Sequence, residues 1–141
     1  MNLEYVPVSQ RPKTIISDVD GVILIQANKW PVKSYDPREV EAIPNTVKIL
    51  NALYTAGHQI ILVTARPEEY RQETSYQLKR FGLQFTQLVM GLPTGQRILI
   101  NDMKLEEEGI PTAIAINLIR DEGLTEQDLE FAEVAIEKAA A

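Results

Sequence analysis

Two apolar runs constrain this chain more than any other feature. The residues at 14–17 read TIIS and stop at Asp18, and those at 59–63 read QIILV and stop at Thr64. Neither alternates polar with apolar residues, which is the pattern of a strand buried on both faces. Between them Pro44 opens a stretch with Val47, Leu50, Leu53 and Tyr54 at helical spacing, and Gly57 closes it. Apolar strands alternating with helices predict an α/β fold built on a mainly parallel sheet.

The rest of the chain extends the pattern. Pro67 starts a second helical stretch, with Tyr70, Thr74, Leu78 and Phe81 on one face and Gly82 as its stop. Further strands are expected at 85–90, 97–100 and 112–116, which makes five. Thr125 and Asp128 form a capping-box pattern ahead of a terminal helix through Leu129, Ala132 and Ile136. The stretch 22–43, with Trp30-Pro31 and Asp36-Pro37, lacks helical periodicity and reads as a long loop of the functional kind. At 141 residues the chain is expected to be a single domain, 1–141.

Composition narrows the partners. Lys and Arg number 14 against 20 Asp and Glu, a net charge of −6, so there is no basic footprint for nucleic acid or an anionic membrane surface. With no cysteine, disulfides, thiolate catalysis and cysteine metal sites are excluded. No apolar run approaches the roughly 20 residues of a membrane span, and the first residues lack a signal-like pattern. The expectation is a soluble, cytoplasmic protein.

The polar residues fall where such a sheet binds ligands, outside the carboxyl ends of its strands. The first strand ends in Asp18, the second in Thr64 and the fourth in Asn101 and Asp102. Asp18 and Asp20 are two apart and point to the same side while the backbone stays extended; Gly21 then permits a sharp exit. Carboxylates crowded at one edge repel unless a cation lies between them, and Mg²⁺ suits one or two carboxylates with water and a substrate phosphate. The same residues also fit an ordinary Asp-rich turn; Thr64 and Asp102 at neighbouring strand ends favour the functional reading.

With IISDVDGVI, IILVTAR and ILIND in this order, the sequence resembles the haloacid dehalogenase superfamily of phosphohydrolases, as a small member without a cap domain. That resemblance implies a Rossmann-like three-layer sandwich around a five-stranded sheet, with 22–43 as a flap. It implies Asp18 as the nucleophile that forms an aspartyl-phosphate and Asp20 as general acid and base. Thr64 would hold the phosphoryl group, and Asp18, Asp20 through its carbonyl, and Asn101 and Asp102 would bind Mg²⁺. Two positions depart from the family. Asn101 stands where the first of two acids is usual, and Leu92, in Gly91-Leu92-Pro93, stands where small members carry a lysine.

Several cations are candidates for that charge. Lys104, just after Asp102, is the preferred stand-in, whereas Arg97 is expected at the opposite end of the sheet. Arg66 reads either as a phosphate clamp beside Thr64 and Ala65 or as a surface arginine paired with Glu69 or Glu73. Lys79 suits the end of its helix. Trp30 in the flap is a candidate to cover a substrate, or else an anchor of the loop. His58, at the far end of its strand, reads as structural, the run Glu106–Glu108 as a solvated face, and Asn117 as a turn residue.

The leading expectation is therefore a Mg²⁺-dependent phosphatase for a small phosphorylated metabolite such as a sugar phosphate. A homo-oligomer is expected, because capless relatives often rely on a neighbouring subunit. The alternatives are a degenerate relative that binds a phosphorylated ligand or serves as an assembly subunit, which Leu92 and Asn101 support, and a polynucleotide-end phosphatase, which the acidic composition opposes. A receiver domain of two-component signalling is excluded, since no aspartate lies between Asp36 and Asp102.

Overall fold

In the computed structural model the described residues are 6, 8–25, 40–103 and 111–131. A 3-10 turn at Val8–Gln10 leads into β1, Thr14–Asp18. There follow α1 (Pro44–Thr55), β2 (Gln59–Val63), α2 (Arg71–Arg80), β3 (Gln87–Val89) and α3 (Glu126–Phe131).

The strands form one parallel sheet in the order β1-β2-β3. Asp18 pairs in register with Val63, and Val63 with Val89, so the carboxyl ends of all three strands are level. Residues paired across the sheet share a face, which puts Ile15, Ser17, Ile60, Leu62 and Leu88 on one side. That side carries the core: Ile60 and Leu62 are fully buried and cluster with Ile49, Leu50 and Leu53 of α1, Leu78 of α2, and Val19, Ile23 and Leu24. Each such side chain contributes about 1.5–3 kcal/mol on burial. The other side, carrying Ile61 and Val63, is less covered, and Ile16 there is 51% exposed.

The expected five strands and doubly covered sheet are thus met only in part among the described residues. The third strand is shorter than 85–90. Neither 97–100 nor 112–116 joins a ladder. Ile98, Leu99 and Ile100 are 83, 61 and 91% exposed. The physical reason is that an apolar run specifies burial but not its partner. Asn101 Nδ2 donates to the Thr112 carbonyl at 2.9 Å and Thr112 Oγ1 donates to the Asp102 carbonyl, so these two segments hold one another.

Local signals fare better. Pro44 occupies the first turn of α1, where its missing N–H leaves nothing unpaired. Both α1 and α2 end in paired bonds onto their last turns, from His58 N–H to Leu53 O and Gly57 N–H to Tyr54 O, and from Leu83 N–H to Leu78 O and Gly82 N–H to Lys79 O. The helix expected from Pro67 begins later, because Pro67 is extended (ψ 145°) and a 3-10 turn at Glu68–Tyr70 intervenes. The capping box forms as read: Asp128 Oδ2 accepts the Thr125 N–H at 2.9 Å and Thr125 Oγ1 accepts the Asp128 N–H at 3.2 Å. Of the flap, the described ends pair, with Ile25 N–H on Glu41 O at 2.9 Å and Ile43 N–H on Ile23 O at 2.7 Å. Trp30 lies outside the described residues, as do Ala132 and Ile136.

Candidate functional site at the carboxyl edge of the sheet

Asp18 ends β1 on the level edge. Its Oδ1 accepts the Val19 N–H at 2.9 Å and lies 3.5 Å from Arg97 Nη1; its side chain is 39% exposed. Two residues on, Asp20 has a different environment. Arg66 Nε donates to Asp20 Oδ2 at 2.9 Å and Nη2 to Oδ1 at 2.7 Å, a two-bond fork from a guanidinium that is 5% exposed. Charge-assisted pairs of this geometry are the strong ones.

Thr64 continues β2 onto the same edge, fully enclosed. Its N–H bonds to Val89 O at 2.9 Å, and its Oγ1 accepts the Arg66 N–H at 3.1 Å. The loop after β3 is tied to this point: Gly91 N–H donates to Arg66 O at 2.8 Å and Leu92 N–H to Thr64 O at 3.1 Å. The Leu92 backbone is thus tied to Thr64, and an uncharged residue stands at the sequence position where the resemblance led one to look for lysine.

The fold brings Asp18, Asp20, Thr64, Ala65 and Arg66 together. It does not bring in Asn101, whose side chain is turned to Thr112. Among the described residues no three of His, Asp and Glu gather closely enough to hold a metal ion. The donor set expected for Mg²⁺ is not gathered among the described residues, since Asp102 is not grouped with Asp18 and Asp20 and Asn101 is turned to Thr112; the Arg66 fork takes the Asp20 carboxylate and not the carbonyl expected as the ligand. Lys104 and Glu106–Glu108 lie outside the described residues.

Two arginines differ from expectation. Arg97 reaches Asp18 and is not at the opposite end of the sheet, because residues 97–100 do not run along β1 as a strand. Arg66 pairs with Asp20, which was not among its expected partners. Its Nη1 also donates to Thr74 Oγ1 at 3.1 Å and to Gln77 Oε1 at 2.7 Å. Thr74 and Gln77 were not singled out for the site. Their one signal was two polar residues spaced i and i+3 on the face of α2 that carries Leu78. His58, away from the site, accepts the Lys13 N–H at 2.8 Å on Nδ1. Burial, and then the charge of Lys13, lower its pKa from the ordinary value.

In class this is an α/β fold, with a parallel sheet of three strands among the described residues and aspartates at its carboxyl edge. No protein-family description matches the chain, and neither does any curated protein. Among solved structures it is similar to part of a Pnkp1/Rnl/Hen1 complex, with 21% identity and a TM-score of 0.51 over 63% of this chain and 31% of that one. It therefore spans under a third of that relative. A structural-genomics target from Vibrio cholerae matches at 17% identity and a TM-score of 0.44, over 67% of this chain and 91% of that chain. A Vibrio cholerae protein provisionally assigned as a 3-deoxy-D-manno-octulosonate 8-phosphate phosphatase matches at 23% and 0.33, over 60% and 44%. At 21% identity the likeness to the first of these is one of fold alone.

Proposed function

We propose that this chain, as one domain with 22–43 as a flap, hydrolyses the phosphate monoester of a small metabolite such as a sugar phosphate. The observation that carries the reading is the unequal treatment of two aspartates at one sheet edge. Asp18 is half-exposed beside a cation, and Asp20 is fixed by an arginine fork. In this reading an Asp18 oxygen attacks phosphorus and the bond from phosphorus to the alcohol oxygen breaks, with Asp20 giving the departing oxygen its proton. Asp20 then takes a proton from water, whose oxygen attacks the aspartyl-phosphate; phosphate leaves and Asp18 is restored. In this reading Arg97, beside Asp18, attracts the phosphoryl group toward it.

A second reading, a phosphate-ligand binder without turnover, is favoured by Leu92 where a lysine is usual and by the ungrouped Asp102. One assay separates them. Phosphate release from an aryl phosphate and a panel of sugar phosphates is measured for the native protein, Asp18→Asn and Arg97→Ala, with Mg²⁺ and with EDTA. Native turnover that Asp18→Asn abolishes and Arg97→Ala lowers about tenfold or more is expected. No native turnover above Asp18→Asn on any substrate, with or without Mg²⁺, supports the binder instead.

A further inference from the structure

The fork between Arg66 and Asp20 is one half of a longer arrangement. A planar guanidinium has two usable edges, and here both are taken. The Nε and Nη2 edge holds the two oxygens of Asp20, and Nη1 holds Thr74 and Gln77 of α2. Backbone bonds pin the same residue at either side, N–H to Thr64 Oγ1 and carbonyl from Gly91 N–H. Gln77 is fully buried, and its Oε1 faces Arg66 while its Nε2 has no hydrogen-bond partner. Leaving a buried amide nitrogen unmade is costly, so the bond to Arg66 decides which way the amide points. A phosphate clamp would need the guanidinium turned to the open edge. Its three nitrogens instead face protein acceptors.

We infer that Arg66 is a positioning residue, anchored by Thr74 and Gln77, that fixes the plane of the Asp20 carboxylate, so that α2 sets the geometry of the proton-transfer group. This rests on the hydrolase reading above. Two parallel bonds stop the carboxylate turning about its own axis, and proton transfer to a leaving oxygen depends steeply on that angle.

The test compares the native protein with Arg66→Lys and Gln77→Leu. Lysine keeps the charge and loses the fork, and Gln77→Leu removes one anchor without touching Asp20 or the fork itself. With an aryl phosphate as substrate, Arg66→Lys is expected to lower kcat about 100-fold, with KM and the inhibition constant of inorganic phosphate within about threefold of native. Gln77→Leu, which keeps the fork, is expected to lower kcat about tenfold in the same manner. Side-chain NMR supplies a readout independent of turnover: a protected Arg66 Nε–H signal in the native protein that Asp20→Ala abolishes. An unchanged kcat in Arg66→Lys and Gln77→Leu overturns the inference alone. So does a rise in KM and in the phosphate inhibition constant of about tenfold, which marks a clamp. A native protein that shows the NMR signal but never turns over overturns the hydrolase reading, and this inference with it.

Discussion

Arg66 and Arg97 carry the same charge at the same sheet edge and do different things, because one is enclosed and the other is not. The Arg97 pair with Asp18 leaves both side chains about two-fifths exposed, 43% and 39%, and water screens it. The two-bond fork from Arg66 is shielded, and Thr74 and Gln77 hold the same guanidinium from its other side. That Asp18 and Asp20 matter was legible in IISDVDGVI, since charge inside an apolar run demands a reason. The partner of Arg66 was not legible, because Asp20 lies 46 residues away and nearer acids competed for it. His58 gives a residue-scale prediction. Its folded pKa is depressed, so the unfolded chain binds the proton more readily. The stability it contributes is full above the ordinary value of 6.5 and declines as pH falls through and below it. Urea unfolding of the native protein and His58→Gln from pH 7.5 to 5 is expected to show a shallower acid decline in the variant.

At the scale of elements, the segment before α3 clamps the start of α1. Leu124 N–H donates to Thr46 Oγ1 at 2.8 Å and Asn45 Nδ2 to Leu124 O at 2.7 Å. Gly123 makes the approach possible: its φ is +84°, and a Cβ there would lie 2.5 Å from Ile43 Cγ2 and 2.7 Å from Thr46 Oγ1. Gly123→Ala is expected to cost about 2 kcal/mol or more, combining overpacking with a left-handed backbone, as a lowered urea midpoint at unchanged slope. Helix starts and stops at this scale were readable because Pro44, Gly57, Gly82 and the Thr125–Asp128 box act on neighbours within a turn. The clamp was not readable, since it joins residues 78 and 79 positions apart.

For the whole molecule, the core lies on one face of a three-stranded sheet, and the apolar run at 98–100 lies outside it. Leu62 and Ile100 look alike in the sequence and differ in burial, 0% against 91%. Leu62→Ala is expected to cost about 2–5 kcal/mol and Ile100→Ala under about 0.5 kcal/mol, measured by urea unfolding of each variant. No helix among the described residues is long and apolar enough to cross a membrane.

The sequence by itself determined what depends on near neighbours and on residue type. It specified the α/β alternation, the first two strands and the helix between them, and the arrival of Asp18 and Thr64 at one edge. Hydrophobic period and capping are local, and a parallel register then carries strand ends to a common rim. Tertiary structure alone decided which cation meets which carboxylate, that the Leu92 backbone is tied to Thr64, and that 97–100 stays off the ladder. Those are contacts between distant segments, where several partners of like chemistry compete and only geometry chooses.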